Sequence, residues 1–125
     1  MSTIQKGHLL WYIPDGYIPE ISQGELLSHE SICVLNTYQE DAELKITIYF
    51  EDREPIEEMN YLVPGKRTKH IRTSALEKNG QVIPVGVPYA IEVESSIPVI
   101  VQYSRLDSTQ SELALMSTMG HPVNS

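Results

Sequence analysis

Three short stretches of this chain place charged and hydrogen-bonding side chains close enough in sequence to do chemistry together. The first is Lys66-Arg67-Thr68-Lys69-His70-Ile71-Arg72, four cations and a histidine within seven positions. Read as a strand, it puts Lys66, Thr68, His70 and Arg72 on one face and Arg67, Lys69 and Ile71 on the other. Both faces carry charge, so the expected place is a sheet edge, where cations deter unwanted pairing. The same residues could serve as a cationic wall for an anionic or hydroxyl-rich ligand, or as a subunit contact. The planar arginine fork matches carboxylates and paired hydroxyls.

The second stretch is Gln102-Tyr103-Ser104-Arg105-Leu106-Asp107-Ser108-Thr109-Gln110, a dense set of donors and acceptors after an apolar run. Arg105 and Asp107 share a strand face and either pair with each other or line a pocket. In the pocket reading, Trp11 or Tyr12 supplies an aromatic floor, as in sites that combine a ring with fixed polar groups. The third is Ser28-His29-Glu30-Ser31. A nucleophile here would need a positioned base, and no Gly-x-Ser-x-Gly elbow or Gly-rich phosphate loop accompanies it. These residues read instead as polar groups at a strand entrance, open to ligand binding.

Other chemistry is poorly supported. The four histidines, His8, His29, His70 and His121, include no pair at metal-ligand spacing, and Cys-x-x-Cys is absent. No metal and no cofactor are expected. Cys33 lies in Ile32-Cys33-Val34-Leu35, where a thiol behaves as a small buried hydrophobe. A carbohydrate-active enzyme would need two carboxylates at a set separation, with Glu30, Asp52 and Asp107 as the conceivable sources. The expectation is that the chain is not an enzyme. A net charge of −8 opposes binding to nucleic acid. A transcriptional regulator using strand 66–72 is therefore the weaker alternative, one whose binding would fall steeply with salt.

The elements that must position these groups are β-strands. His8 to Ile13 reads as a strand closed by Pro14-Asp15-Gly16, a turn sequence. Ser31 to Thr37 is a largely apolar run, as in a strand buried on both faces. Glu43 to Phe50 alternates best, with Leu44, Ile46, Ile48 and Phe50 on one face. Met59–Val63 and Lys66–Thr73, separated by Pro64-Gly65, read as a hairpin. Tyr89–Glu94 and Pro98–Tyr103 read as two further strands, with Pro98 at the first position of the second. Glu112 to Met119 fits strand better than helix, and residues 121–125 read as a frayed tail. Seven or eight short strands predict an all-β, antiparallel sandwich or jelly roll.

At 125 residues the chain suits one domain, residues 1–125, with enough core to stand without disulfides. A single cysteine, no secretory signal and no apolar stretch of membrane-spanning length predict a soluble, cytoplasmic protein.

Set out this way, the chain resembles the sensory rhodopsin transducer family of small bacterial soluble proteins. The resemblance rests on Trp11-Tyr12-Ile13-Pro14-Asp15-Gly16-Tyr17-Ile18-Pro19, on Ser28-His29-Glu30-Ser31-Ile32-Cys33-Val34-Leu35-Asn36 and on Ile46-Thr47-Ile48-Tyr49-Phe50 with Asp52 and Glu54-Pro55. It continues through Val63-Pro64, Arg67-Thr68-Lys69-His70-Ile71-Arg72, Pro98-Val99-Ile100-Val101-Gln102, Ser104-Arg105-Leu106-Asp107-Ser108 and Leu115-Met116-Ser117-Thr118-Met119. What the resemblance implies is a β-sandwich protomer in a homotetramer, with a signalling role beside a membrane photoreceptor. It also implies small-molecule binding, sugar-like in kind, with DNA contact as a further attribution. The matched polar positions, and so the ligand-binding candidates, are Trp11, His29, Glu30, Asn36, Arg67, His70, Arg72, Gln102, Arg105 and Asp107.

Overall fold

The computed structural model describes residues 4–18, 29–107 and 114–123. Its strands are β1 (His8–Gly16), β2 (His29–Asn36), β3 (Ala42–Phe50), β4 (Ile56–Val63), β5 (Arg67–Arg72), β6 (Glu77–Lys78), β7 (Gln81–Val82), β8 (Tyr89–Asp107), β9 (Ala114–Met119) and β10 (His121–Val123). A 3-10 turn at Thr73–Ala75 follows β5. Every strand pair is antiparallel.

The architecture is an all-β sandwich organised by one long strand. The first half of β8 pairs with β1 and β3, and its second half pairs with β2 and β9. One layer therefore runs β10-β1-β8-β3-β4 and the other β9-β8-β2-β5. Between them lie Ile32 and Val34 of β2, Leu44, Ile46 and Ile48 of β3, and Ile91, Val93, Val99 and Val101 of β8, all essentially inaccessible to solvent. Their β-branched or branched side chains suit a pleated surface, and burying each contributes about 1.5–3 kcal/mol. The alternation of β3 is as expected, with Leu44, Ile46 and Ile48 all inward.

Four expectations are corrected. Residues 89–94 and 98–103 are one strand, not two, and Pro98 lies inside it. Between the pairs Leu10–Glu94 and His8–Val99, one residue of β1 faces four of β8. Proline's missing donor costs nothing at such an irregular seam, which is where β8 passes from one layer to the other.

Met59–Val63 and Lys66–Thr73 do not form a hairpin either: β4 pairs with β3, and β5 with β2. Pro64-Gly65 carries the chain between layers, anchored by Gly65 N–H to Asp41 Oδ1 (3.0 Å) and Lys66 N–H to Tyr38 O (2.8 Å). Glycine is required at 65, because a Cβ there would stand 1.9 Å from the Gln39 carbonyl oxygen.

β2 is buried on one face only, with Cys33 half-buried and Leu35 exposed. Residues 121–123 are not frayed: β10 pairs with Leu10, Trp11 and Tyr12 of β1. By contrast, β5 is the expected sheet edge, with Ile71 its one buried residue.

Candidate functional site

Glu30 follows the inward period of Ile32 and Val34, so the fold drives a carboxylate into the sandwich, where it is 1 % exposed. Isolated, such a charge would cost several kcal/mol. Here, among the described residues, every polar group bonded to the carboxylate is a donor. The Tyr17 backbone N–H lies 3.0 Å from both oxygens. The Tyr89 hydroxyl donates to Oε1 and the Tyr103 hydroxyl to Oε2. Arg105 Nε donates to Oε2 at 2.7 Å, across the β2–β8 ladder in which Glu30 and Arg105 are directly opposite. Acceptors saturated in this way suit an ionised carboxylate.

Supporting groups hold this arrangement. Tyr89 has one phenolic hydrogen, committed to Glu30, so Thr73 Oγ1, 3.0 Å away, serves as a donor to it. Gly16 leaves room for the Tyr89 ring, since a Cβ there would come within 2.6 Å of it. Burial, reinforced by the Glu30 charge and hydrogen bond, pushes both Tyr89 and Tyr103 well above the usual tyrosine range. For Arg105, partial burial opposes the charge, but the Glu30 hydrogen bond and charge together with Tyr103 outweigh it, and the guanidinium is held more firmly protonated.

Arg105 also reaches outward, with its side chain 23 % exposed. With Tyr103, Ile13, Asp15, Thr118 and His121 it lines a cleft of about 200 Å³. Asp15 shares this cleft without forming an ion pair to Arg105. A second polar group lies on the outer face of the β1-β8-β3 layer. There the Tyr12 and Tyr49 hydroxyls both donate to Glu92 Oε1, at 2.7 and 3.0 Å. The hydrogen bond to Glu92, with burial, pushes Tyr12 up to about 12.

Of the ten candidates, the structure brings Glu30 and Arg105 into direct contact. His70 and Gln102 fall in one outward row, His70–Cys33–Gln102–Met119, with Arg72 beside Ser31 in the next. Arg67 is exposed on β5 opposite Asn36. Asn36 is wholly buried and acts as a tie: its amide donates to the carbonyls of Glu40, Val63 and Pro64, and its oxygen accepts from Tyr38 N–H. Trp11 is buried, its indole donating to Val99 O at 2.9 Å across the β8 seam. Neither Trp11 nor Tyr12 floors the Arg105 cleft; the aromatic rings lining it are those of Tyr103 and His121. The backbones of His29 and Asp107 pair with Leu106 and Ala114, while their side chains lie outside the described residues.

The sequence reading missed Tyr89, Thr73 and the Tyr17 amide. Tyr103 carried a signal, since it shares the inward period of Val99 and Val101. As for paired catalytic carboxylates, Asp52 sits in an exposed turn bound to Arg53 at 3.0 Å, and the Glu30 oxygens are engaged by donors. Among the described residues no group of three or more potential ligands is placed to hold a metal ion.

The model of the Anabaena sensory rhodopsin transducer family matches residues 6–122. The chain belongs to this family. A solved structure described as Anabaena sensory rhodopsin transducer is similar at 40% identity and a TM-score of 0.74, over 86% of this chain and 96% of that one. A second, described as Thermotoga maritima 1070, is similar at 39% identity and a TM-score of 0.83, over 94% of this chain and 96% of the other. No curated protein matches. The family is named for a transducer, and among the described residues no helix is long and apolar enough to cross a membrane.

Two outcomes test this site. Glu30→Gln leaves Arg105 without its anion, and urea unfolding is expected to show a loss of about 3 kcal/mol. Raised tyrosines also make a pH prediction. Unfolded tyrosines ionise near pH 10, whereas Tyr89 and Tyr103 resist in the native state. Their contribution is complete below about pH 10 and declines as the pH climbs beyond it. Urea midpoints measured from pH 8 to 11 should be flat at first and then fall; a midpoint unchanged at pH 11 contradicts the assignment.

Proposed function

We propose that this chain is a non-catalytic signalling module that binds a small polar ligand, sugar- or carboxylate-like, beside Arg105 and relays the bound state to a protein partner. The observation that carries this reading is the guanidinium itself, anchored by buried Glu30 and presented with Tyr103 in a cleft. A cleft of about 200 Å³ is smaller than a drug-sized site and suits a single compact molecule. A ligand that drew on Arg105 would compete with Glu30, whose other donors come from Tyr17 and from both halves of β8. Differential affinity for the two arrangements would supply the signal.

The partner in this reading is a membrane photoreceptor of the sensory rhodopsin kind, met from the cytoplasm. Likeness to a protein described as a sensory rhodopsin transducer supports it. The protomers assemble as a homotetramer, and the outward row His70–Cys33–Gln102–Met119, with neighbouring Leu35 and Ile100, offers a partly apolar face for that contact. Binding to nucleic acid through β5 is the lesser reading, since the −8 net charge acts against it.

Thermal shift and calorimetry against a panel of monosaccharides and small carboxylates should yield at least one saturable ligand, and Arg105→Ala should weaken it by roughly tenfold or more. A folded sample that answers to no member of the panel defeats the ligand reading. Light scattering should return about four times the 14.1 kDa chain mass; a monomer would overturn the tetramer.

A further inference from the structure

A hollow larger than the Arg105 cleft lies apart from it. It is a trough of about 760 Å³ on the β1-β8-β3-β4 layer, where that layer approaches the β8 seam. The register sets its outer-face side chains in order. Leu10, Glu94, Lys45 and Asn60 stand in one row across four strands, and Glu43 and Leu62 form the next pair. Apolar groups therefore mark both ends, Leu10 on one side and Leu62, 46 % exposed, on the other. Between them are two carboxylates and one ammonium. Glu94 and Lys45 are cross-strand neighbours, yet no ion pair joins them, and Glu43 has none either among the described residues.

We infer that this trough receives a short extended peptide segment of a partner protein, apolar at its ends and basic in the middle. Adjacent strands are about 4.8 Å apart, so the row from Leu10 to Asn60 spans roughly 14 Å. An extended peptide rises about 3.3 Å per residue and presents alternate side chains to one side. A segment of the form Leu-x-Arg-x-Leu covers about 13 Å, setting its leucines on Leu10 and Leu62 and its guanidinium over Glu43 and Glu94. An arginine fork fits a carboxylate with two hydrogen bonds, and the trough's surplus of negative charge selects against an acidic segment. Lys45 limits the occupant to few cations. Basic segments of this kind are abundant in the cytoplasmic loops of membrane proteins. The inference thus rests on the relay reading above and gives it a surface, distinct from the ligand cleft.

The test uses the full chain without any small-molecule ligand, so an unresponsive sugar panel leaves its outcome intact. Fluorescein-labelled Leu-Ser-Arg-Ser-Leu is titrated by anisotropy at low and moderate salt, beside Leu-Ser-Glu-Ser-Leu. Saturable binding of the arginine peptide is expected, weakening with salt, with at least tenfold preference over the glutamate peptide. Combined Glu43→Gln and Glu94→Gln should weaken it by roughly tenfold. Asp52→Asn with Glu54→Gln, in the exposed β3–β4 turn, should leave it unchanged and so excludes a general attraction to an acidic protein. The proposal is overturned by no binding, by equal binding of the two peptides, or by equal losses in the two double variants. Leu62→Asp supplies an independent arm: it should abolish binding, whereas unchanged affinity removes the apolar anchor. Competition between the peptide and a second copy of the chain, seen as loss of oligomer on peptide addition, would assign the trough to self-association instead.

Discussion

A negative charge sealed inside a small β-sandwich is the constraint around which much of this molecule is arranged. Glu30 can be inward only if several donors converge on it, because an unmatched carboxylate in that position would be driven out or neutralised. Meeting that demand recruits the loop after β1 through the Tyr17 amide and β8 three times, through Tyr89, Tyr103 and Arg105, the last from the facing register position. Even the absence of a side chain at Gly16 belongs to it, since the Tyr89 ring occupies that space. Buried polar networks of this sort often add less stability than an apolar core would, yet removing one member is costly. The network thus ties the end of β1, β2 and both halves of β8 at one polar point, in addition to the apolar core they share.

β8 is the mechanical counterpart of that network. Its halves belong to different layers, and the Glu30 carboxylate is held by Tyr89 from one half and Tyr103 from the other. The seam between them is itself braced: the Trp11 indole donates to Val99 O, and Pro98 occupies a stretch without regular pairing. Arg105 thus lies on a strand that takes part in both layers of the sandwich.

Much of the fold was legible because period-two alternation is strong wherever one face is buried and the other is wet. β3 shows this, with Leu44, Ile46 and Ile48 inside and Glu43, Lys45 and Tyr49 outside. The signal failed where composition hid the periodicity. In β2, Ile32-Cys33-Val34-Leu35 looks uniformly apolar, and nothing local reveals that Cys33 and Leu35 face outward. It failed again at Pro98, where proline ordinarily starts a strand and here sits at a change of layer. At Pro64-Gly65 the turn residues are real, but the direction of the chain after the turn depends on which layer has an open edge. The sequence reading passed over Asn79-Gly80, a pair well suited to a tight hairpin, which links β6 to β7 with both residues at positive φ.

The amino-acid order by itself determined the strand-rich character, the cationic edge and the family. Each depends on neighbours a few residues apart, or on a pattern matched along the chain. Only the tertiary structure decided which polar groups meet. Glu30 and Arg105 lie 75 positions apart, and Glu30 and Tyr89 are 59 apart. Such pairs arise from strand register and layer assignment, which are set by the packing of the whole core. For the same reason Asn36 and Trp11, attractive as binding groups in isolation, are structural ties: the burial that locates them also consumes their hydrogen bonds.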